Sequence, residues 1–575
     1  MLLEIKNLNI QFETPHSVSQ AVKGLNLQIK PGETLGLVGE SGSGKSVTAL
    51  SIMQLLPQTA KISGEILFSS ENKNSSIEAF SKVGEAPVDL LKLSPGKLRN
   101  IRGSRIAMIF QEPMSALNPV FRCGYQITET IQLHQKIAAS EARDQTYALF
   151  EKVKLADPNR IFQAYPSQLS GGQKQRVMIA MALSCKPDLL LADEPTTALD
   201  VTVQRSILDL LIELKATENL SMLFISHDLG VIAEIANRVG VMSEGELVET
   251  GLVNQVLKNP QHPYTKGLVA CRPSLKQKVR RLATIDDFLQ QPEFKTIPVT
   301  NAEISRRRKN IYGHSPILET KDLSVRYPIQ RHFWGSPSRW HQALDKISLE
   351  VYPGEIFGLA GESGCGKTTL GKVISRLLSA QEGSIWFRKL NLNELPDDGF
   401  RTVRREIQMV FQDPYASLNP RMTVGDAVLE PMTAYKLGAS RRQRADKVVE
   451  LLETVGLEAD HAKRFPRAFS GGQRQRICLA RALALQPKLL VCDEIVSALD
   501  VSIQATILNL LLDLQEKFGL TLIFISHDLS VVRQMCDRVM VMNRGKVEAI
   551  GHPETLFEHP QSPYVQSLID SIPGS

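Results

Sequence analysis

One phosphate-binding sequence occurs twice in this chain of 575 residues. Residues 39–46 read GESGSGKS, and residues 361–368 read GESGCGKT. Both match the pattern G-x-x-x-x-G-K-[ST], whose glycines let successive backbone N–H groups point at phosphate oxygens. Each copy follows an apolar run and precedes helix-forming residues, which is the strand–loop–helix context that this pattern requires. The sequence therefore predicts two nucleotide-binding loops in one polypeptide.

Four further motifs follow each loop in the same order. The offset between the copies is 322 residues at the lysines of the loops, 301 at Gln111 and Gln412, and 300 at every later motif. The first copy therefore holds about 21 extra residues, expected in the polar stretch 69–87 because exposed loops tolerate insertions best. In front of the loops the offset is 315, so the second copy holds about seven more residues, expected near 332–341.

The duplication predicts two domains and a joining segment. We expect domains at residues 1–271 and 317–575, because this length exceeds what one hydrophobic core usually organises. The segment 272–316 is polar, carries prolines at 273, 292 and 298 and has no counterpart behind the second domain, so we interpret it as a tether. Its basic run at 306–309 (RRRK) is interpreted as solvated, with a binding site as the alternative.

Composition is that of an ordinary globular protein, with 43% hydrophobic and 22% charged residues. No apolar run approaches the roughly 18–20 residues that span a bilayer, and the first residues lack the pattern of a secretory signal, so we expect a cytoplasmic location. Seven cysteines without C-x-x-C spacing favour free thiols over disulfides or zinc sites. The net charge of +6 permits contact with anionic lipid and does not require nucleic acid.

The loops carry the residues expected to hold a triphosphate. Lys45 and Lys367 are predicted to reach the β- and γ-phosphates, since this lysine follows the glycine-rich turn. Ser46 and Thr368 are predicted to hold Mg²⁺ through their hydroxyl groups. Two matches in register with later motifs make a chance resemblance negligible.

Each copy also contains an apolar strand that ends in two acids, LLLADE at 189–194 and LLVCDE at 489–494. Continuous hydrophobicity is typical of a parallel strand that is buried on both faces. A capping role for the acids is the alternative, but behind a phosphate loop a catalytic role is favoured. The predicted assignments are Asp193 and Asp493 for Mg²⁺, and Glu194 and Glu494 as general bases for the attacking water.

A third motif opens a helix in each copy, LSGGQ at 169–173 and FSGGQ at 469–473. A serine before two glycines can serve only as a helix cap. A helix N-terminus is also an anion receptor, so its repetition beside a separate phosphate loop favours a second contact with phosphate.

LSGGQ between a phosphate loop and an acidic strand resembles the signature of ATP-binding cassette (ABC) ATPases, and the resemblance covers everything except the joining segment. It implies an α/β fold with two tandem P-loop NTPase domains. Each domain would combine a RecA-like α/β core, an antiparallel β subdomain and a helical subdomain with the signature. It also implies ATP and Mg²⁺ as ligands.

In that family the γ-phosphate lies between the loop of one domain and the signature of the other. One implied site combines Lys45, Ser46, Asp193, Glu194 and His227 with Ser470, Gly471 and Gly472. The other combines Lys367, Thr368, Asp493, Glu494 and His527 with Ser170, Gly171 and Gly172. The remaining implied nucleotide contacts are Gly39, Glu40, Ser41, Gly42, Ser43, Gly44, Gly361, Glu362, Ser363, Gly364, Cys365, Gly366, Gln173 and Gln473.

Other positions match the family residue by residue. His227 and His527 match the switch histidine, which contacts the γ-phosphate, although either alone would more often be structural. Asp200 and Asp500 match the D-loop that couples the sites. The aromatic residues that would stack on adenine are Phe12 and Tyr327, with a core role as the alternative for Phe12. The glutamines that would sense Mg²⁺ and water are Gln111 and Gln412.

The loops QEPMSALNP and QDPYASLNP, together with HPYT at 262–265 and SPY at 562–564, resemble the oligopeptide/dipeptide/nickel branch. Single-chain members of that branch energise uptake of peptides, glutathione or peptide-like compounds such as microcin C. The implied partners are two transmembrane permeases and an extracytoplasmic solute-binding protein, with peripheral association at the cytoplasmic face of the inner membrane and no nucleic acid. The alternative is a soluble twin-cassette ATPase acting on ribosomes or DNA.

Two departures from the family pattern bear on these expectations. Ile495 stands where the family usually has proline after the catalytic glutamate, and Phe469 replaces the leucine of the signature. We expect neither to remove a catalytic residue. Both halves keep the lysine, glutamate, signature serine and switch histidine, so we predict two competent sites.

Overall fold

The computed structural model describes residues 1–14, 17–69, 87–112, 116–197, 199–331, 337–497 and 499–572. It divides into two compact units, the first comprising 1–269 with 285–292 and the second 270–284 with the chain from 293 onward. The predicted insertion at 69–87 and the longer hairpin at 332–341 lie largely outside the described residues. The predicted domain boundaries stay predictions.

The described part of the first unit contains an antiparallel sheet and a larger, mainly parallel sheet. Its strands are β1 (Leu3–Thr14), β2 (Ser17–Ile29), β3 (Thr34–Val38), β4 (Ala60–Phe68), β5 (Val88–Asp89), β6 (Ile106–Ile109), β7 (Leu189–Asp193), β8 (Ser221–Ile225), β9 (Arg238–Ser243) and β10 (Glu246–Leu252). Its helices are α1 (Lys45–Ile52), α2 (Pro95–Ile101), α3 (Cys123–Gln135), α4 (Ala139–Lys152), α5 (Pro158–Gln163), α6 (Gly171–Leu183), α7 (Val201–Glu218), α8 (Leu229–Ile235), α9 (Val253–Lys258) and α10 (Pro263–Ala270).

The joining segment is helical in two places, and the second unit contains the same kinds of sheet and helix as the first. The segment holds α11 (Ile285–Gln290) and α12 (Asn301–Ile311). The strands of the second unit are β11 (Leu318–Arg331), β12 (Pro337–Val351), β13 (Ile356–Ala360), β14 (Glu382–Phe387), β15 (Leu390–Asn391), β16 (Ile407–Val410), β17 (Leu489–Asp493), β18 (Thr521–Ile525), β19 (Arg538–Asn543) and β20 (Lys546–Gly551). Its helices are α13 (Lys367–Ile374), α14 (Asp397–Glu406), α15 (Pro414–Ser417), α16 (Val424–Ala434), α17 (Arg441–Thr454), α18 (Gly471–Leu483), α19 (Val501–Phe518), α20 (Leu529–Met535), α21 (Pro553–Glu558) and α22 (Pro563–Asp570).

The two units share one topology. The antiparallel sheets have the orders β2-β1-β4-β5 and β12-β11-β14-β15, and the larger sheets run β10-β9-β3-β8-β7-β6 and β20-β19-β13-β18-β17-β16. The larger sheets are parallel except at β10 and β20, which pair antiparallel with their neighbours. Strands β3, β7 and β8 are buried along their whole length, as continuous apolar runs require in a covered parallel sheet.

The larger sheets place the functional residues because their parallel strands end at one edge. In the first unit, β3 ends at the phosphate loop, β7 at the acidic pair and β8 just before His227. The glutamine loop follows β6 at that same edge. Helices α3–α6 form the helical region that carries the first signature. The predicted α/β fold with antiparallel and helical subdomains is confirmed in both units.

The joining segment packs on the second unit over most of its length and is not a free tether there. Two buried amides of α19 and α20 hold its backbone. Asn509 accepts from the N–H of Leu282 at 2.9 Å and donates to its carbonyl at 2.8 Å. Gln534 does the same to Val279, at 3.1 and 2.7 Å. Each amide satisfies a donor and an acceptor that would otherwise be buried unpaired, which fixes the position of the segment.

The basic run of the segment lies on α12, and two of its members form ion pairs. Arg307 donates two hydrogen bonds to the buried carboxylate of Asp537, at 2.6 and 3.0 Å. Arg308 donates to Glu554 at 2.6 Å. The expectation of a solvated run is therefore wrong for these two arginines. A run of like charges in the sequence does not reveal the carboxylates that the fold places beside it.

Candidate nucleotide-binding sites

The phosphate loop of each unit joins a buried strand to a helix. Gly39 and Gly44 adopt φ values of 152° and 101°, and Gly44 caps α1 in the left-handed region. A Cβ at Gly39 would lie 2.2 Å from the carbonyl oxygen of Met242, and one at Gly44 would lie 2.5 Å from that of Ala21. Glycine is required at both positions by backbone angle and by space, and a glycine-rich turn of this kind before a helix is suited to bind phosphate through its backbone.

The lysine of each loop is buried and bonded to the turn itself. Lys45 Nζ donates to the carbonyls of Gly39 and Glu40, each at 2.8 Å, and lies 3.3 Å from Ser43 Oγ. In the second unit Lys367 Nζ makes the equivalent bonds at 2.7 and 2.8 Å, with the sulfur of Cys365 at 3.8 Å. Charge-assisted bonds to phosphate oxygens are stronger than these bonds to neutral carbonyls, so each lysine can exchange the carbonyls for phosphate.

The hydroxyl at the start of each loop helix meets the first acid of the pair. Ser46 donates to Asp193 at 2.8 Å, and Thr368 donates to Asp493 at 2.9 Å. Burial raises the pKa of Asp193 to about 6, against the lowering effect of the Ser46 hydrogen bond. Burial likewise raises the pKa of Asp493. The structure brings each loop hydroxyl beside its acid, and the Mg²⁺ roles predicted for these residues stay predictions.

Glu194 collects three polar side chains on one carboxylate oxygen. Its Oε2 accepts from Gln111 at 3.1 Å and from Thr197 at 2.8 Å, and His227 Nδ1 lies 3.3 Å away. Burial raises the pKa of Glu194, but the hydrogen bond and charge of His227, followed by the Thr197 bond and the Lys45 charge, outweigh it and bring the pKa to about 2. This carboxylate is therefore ionised at neutral pH.

Glu494 likewise contacts a glutamine and a histidine, and a lysine lies near its other carboxylate oxygen. Gln412 donates to its Oε2 at 2.9 Å, and His527 Nδ1 lies 3.6 Å from that oxygen. Its Oε1 lies 3.9 Å from Lys367 Nζ. Burial raises the pKa of Glu494, and His527 and Lys367 lower it to a net value below the usual one. Both glutamates hold left-handed backbone angles, with φ of 47° and 46°, a strained conformation that occurs often at functional sites.

The signatures lie at the N-termini of α6 and α18. Ser170 accepts from the N–H of Gln173 at 3.3 Å while the Gln173 side chain accepts from the N–H of Ser170 at 3.1 Å, and Ser470 and Gln473 repeat this capping box. The cap that sequence analysis gave as the alternative is therefore present, which leaves the contact with the phosphate of the other unit a prediction.

The second glycine of each signature has a packing role that sequence reasoning missed. A Cβ at Gly172 would lie 2.6 Å from Val203, and one at Gly472 would lie 2.4 Å from Ile503. Both neighbours lie on the helix that follows the D-loop, α7 or α19. The helical spacing of apolar residues in these two helices does not predict this close approach.

The predicted adenine-stacking residues are partly buried. Phe12 and Tyr327 pack against the hydrophobic core of their own units. The core alternative stated for Phe12 is thus part of its environment, and the stacking role stays a prediction for both. Asp200 and Asp500 are the N-cap residues of α7 and α19, and their coupling role also stays a prediction.

Comparison with known proteins identifies this duplicated site. Residues 22–197 and 344–497 match the family described as ABC transporter. The chain belongs to the ABC transporter family. Residues 248–299, which run from the end of the first cassette into the joining segment, also match the family described as oligopeptide/dipeptide transporter, C-terminal region. The predicted ATP-hydrolysing activity and duplicated cassette architecture are confirmed by this membership.

Similar proteins cover the whole chain. The glutathione import ATP-binding protein GsiA of Pectobacterium atrosepticum is 44% identical in an alignment 581 residues long, which covers 100% of this chain and 89% of that protein. The protein of the same name from Escherichia coli K12 is 44% identical over 577 residues with the same coverage. A solved dimeric ATP-binding cassette bound to ADP and Pi is 30% identical, with a TM-score of 0.37, and covers 41% of this chain and 98% of its own. Among the described residues no helix is long and apolar enough to cross a bilayer.

Proposed function

We propose that this protein energises the import of peptides or peptide-like solutes by hydrolysing ATP at two competent sites. Three observations support this. Both cassettes keep the lysine, glutamate, glutamine and histidine in matching geometry, residues 248–299 match the oligopeptide/dipeptide transporter region, and relatives that match the whole chain are named for glutathione import. The observation that carries the proposal is the duplicate convergence of glutamine and histidine on each catalytic glutamate.

The residues around each loop fit a magnesium ion. The loop hydroxyl and its acid, Ser46 with Asp193 and Thr368 with Asp493, offer hard oxygen donors within hydrogen-bonding distance of each other. Gln111 and Gln412 offer a further amide oxygen from the same edge of the sheet. Bound there, Mg²⁺ would neutralise the charge that develops on the β- and γ-phosphates.

The catalytic step depends on the second acid of each pair. Glu194 is ionised at neutral pH, and its described contacts converge on Oε2, so we assign Oε1 to the attacking water. The water donates a hydrogen bond to this oxygen and is oriented for in-line attack. His227, which contacts the same carboxylate, reports whether a γ-phosphate is present. Lys45 leaves the loop carbonyls to hold the phosphate oxygens.

As an ABC transporter ATPase the chain works with membrane permeases. We propose two permease subunits, an extracytoplasmic solute-binding protein and a peripheral position at the cytoplasmic face of the cell membrane. Solute choice would then lie in the binding protein and permeases. Glutathione is the first solute to test because both relatives described above are named for it.

The test is reconstitution of the full chain with its permeases in vesicles and measurement of phosphate release. Binding proteins loaded with glutathione, a dipeptide or a longer peptide are added one at a time. We expect one of them to stimulate hydrolysis severalfold above the unloaded binding protein. Equal rates with all loaded and unloaded binding proteins would contradict the import function.

The alternative, a twin-cassette ATPase acting on ribosomes or DNA, predicts a different result. Under this alternative the protein sediments with ribosomes in a salt-sensitive manner or is retained on DNA. It is not recovered with membranes that contain the permeases. The importer predicts recovery with the permeases at physiological salt and none with either nucleic acid. The similarity to import proteins along the entire chain favours the importer.

A further inference from the structure

The tyrosine of the HPY and SPY motifs has no role in the site described above, yet it contacts the phosphate loop in both cassettes. Tyr264 lies at the start of α10, and its hydroxyl accepts a hydrogen bond from the N–H of Glu40 at 3.1 Å. Tyr564 lies at the start of α22, and its hydroxyl accepts from the N–H of Glu362 at 3.3 Å. The tyrosine and the loop residue are 224 positions apart in the first cassette and 202 in the second.

The contact has a direct relation to the loop lysine. The peptide group between Gly39 and Glu40 is held at both ends, because its carbonyl accepts from Lys45 Nζ at 2.8 Å while its N–H donates to Tyr264. The peptide group between Gly361 and Glu362 is held in the same way by Lys367, at 2.7 Å, and by Tyr564. Tyrosine and lysine thus share one rigid planar unit in each cassette.

The two copies reach this position by different local means. The N–H of Tyr264 donates to His262 Nδ1, and the N–H of Tyr564 donates to Ser562 Oγ, each at 3.2 Å. Glu249 further holds the first turn by accepting from the N–H of His262 at 3.1 Å. Different caps that place the same hydroxyl on the same loop atom indicate that the hydroxyl is the feature retained.

Burial strengthens the contact. Tyr264 is 3% exposed, so its hydroxyl is largely shielded from water and bonds to the protein. Burial, as the largest effect, raises the pKa of Tyr564 to about 12, so its hydroxyl stays protonated at neutral pH. A neutral hydroxyl accepts from the loop N–H without placing a negative charge beside the phosphate site.

We infer that Tyr264 and Tyr564 are positioning residues that hold the first peptide of each phosphate loop and thereby set the affinity of the loop for ATP. When nucleotide arrives, the lysine leaves the peptide carbonyl, and the tyrosine keeps the peptide in the orientation that presents the following N–H groups. Because the tyrosine bonds to the loop, nucleotide binding at the loop also affects the segment that follows β10 or β20. This inference rests on nucleotide binding by the loops and not on the identity of the imported solute.

The experiment replaces one oxygen atom in the full chain. Tyr264→Phe and Tyr564→Phe keep the ring and remove the hydroxyl, and Tyr147→Phe is the matched control because its hydroxyl accepts from Arg143 on α4. KM and kcat for Mg-ATP and the thermal unfolding midpoint are measured for each. We expect each loop variant to raise KM about fivefold, the effect of one ordinary hydrogen bond, with kcat within about twofold and the midpoint equal to that of the control.

Two outcomes would overturn the inference. KM values equal to that of Tyr147→Phe would show that the hydroxyl does not act on the loop. A raised KM together with an unfolding midpoint well below the control would show a general structural role. Continued ATP hydrolysis by the control separates either outcome from a failure of the ATPase assignment.

A second measurement needs no variant. Hydrogen exchange of residues 263–270 and 563–570 in the unaltered chain is compared with and without Mg-ATP. We expect slower exchange in both segments with nucleotide, because coupling between two sites is reciprocal. Exchange that nucleotide leaves unchanged in both segments would contradict the connection between tyrosine and loop.

Discussion

The two cassettes share a topology but differ on the surface formed by α7 and α8 in the first and α19 and α20 in the second. Three side chains that hold the joining segment, Asn509, Gln534 and Asp537, correspond at the offset of 300 to Asp209, Glu234 and Asn237. A carboxylate cannot donate to a backbone carbonyl, and an amide cannot neutralise an arginine. The corresponding side chains of the first cassette therefore cannot make these contacts with the segment. Two cassettes with the same topology can thus differ in whether this docking surface binds the segment.

The two glutamates proposed as general bases show a smaller difference. Glu194 is followed by Pro195-Thr196-Thr197 and Glu494 by Ile495-Val496-Ser497. Thr197 donates to the carboxylate of Glu194, whereas Ser497 donates to the backbone carbonyl of Glu494 at 2.9 Å. The backbone angles of the two glutamates agree within 1°. Isoleucine in place of proline therefore leaves the glutamate backbone unchanged. The hydroxyl two residues after the proline or isoleucine contacts the carboxylate in the first cassette and the backbone carbonyl in the second.

The largest expected effect comes from the catalytic glutamates. Glu194→Gln or Glu494→Gln alone should cut ATP turnover about 100-fold, since each removes the base that orients water, while Mg-ATP still binds. Phosphate release and nucleotide binding are measured for both, with the exposed Glu213→Gln as control. Undiminished turnover in both variants would refute the assigned base, and unequal losses would show that the sites are not equivalent.

The docking surface gives the next largest effect. Asp537→Asn should destabilise the second cassette by about 2 kcal/mol, because it leaves the charge of Arg307 without its partner. The matched control is Asn237→Asp at the equivalent position of the first cassette. All three tryptophans belong to the second domain, so their fluorescence during urea unfolding reports that cassette alone.

Two further variants sharpen this test. Arg307→Gln should destabilise by a similar amount, and the double variant should cost less than the sum, since the two side chains form one ion pair. An unchanged urea midpoint in Asp537→Asn would show that the segment does not contribute to the stability of this cassette.

The threonine difference predicts a few-fold effect. Thr197→Val should raise the pKa of Glu194 and lower turnover about threefold, because it removes a hydrogen bond to the ionised carboxylate. Ser497→Ala should leave turnover within about twofold, since its hydroxyl contacts the backbone. Steady-state phosphate release at saturating ATP measures both, and equal losses would remove this distinction between the sites.

The smallest effect is a pH dependence of the docking surface. Burial raises the pKa of Asp537, and the Arg307 hydrogen bond and charge outweigh it to hold that pKa below its ordinary value. A depressed carboxyl pKa contributes stability that is present above the unfolded-state value, about 3.9, and is lost as pH falls through the lower folded-state value. The stability difference between the unaltered chain and Asp537→Asn should therefore be constant from pH 7 to about 5 and shrink below about 4. A difference that stays constant to pH 3 would contradict the ion pair.

The sequence alone predicted the fold class, which is confirmed, and it proposed the members of each site, because both depend on short motifs with fixed chemistry. A glycine-rich turn before a helix binds phosphate wherever a buried strand leads into it, and a duplicate of the whole series leaves little freedom in fold. The family resemblance placed Gln111 and His227 in the nucleotide site, whereas their shared contact with Glu194 comes from the structure. Parallel strands bring their carboxyl ends to one edge, so residues that follow such strands meet.

Only the tertiary structure decided which polar side chains of the joining segment and of the C-terminal motifs find partners. Arg307 and Asp537 are 230 positions apart, and Tyr264 and Glu40 are 224 apart. No periodicity encodes such pairs, since hydrogen bonds and ion pairs depend on distances that folding alone sets. Composition described the segment as a polar tether, whereas its backbone bonds to two buried amides of the second cassette and its Arg307 pairs with a buried carboxylate.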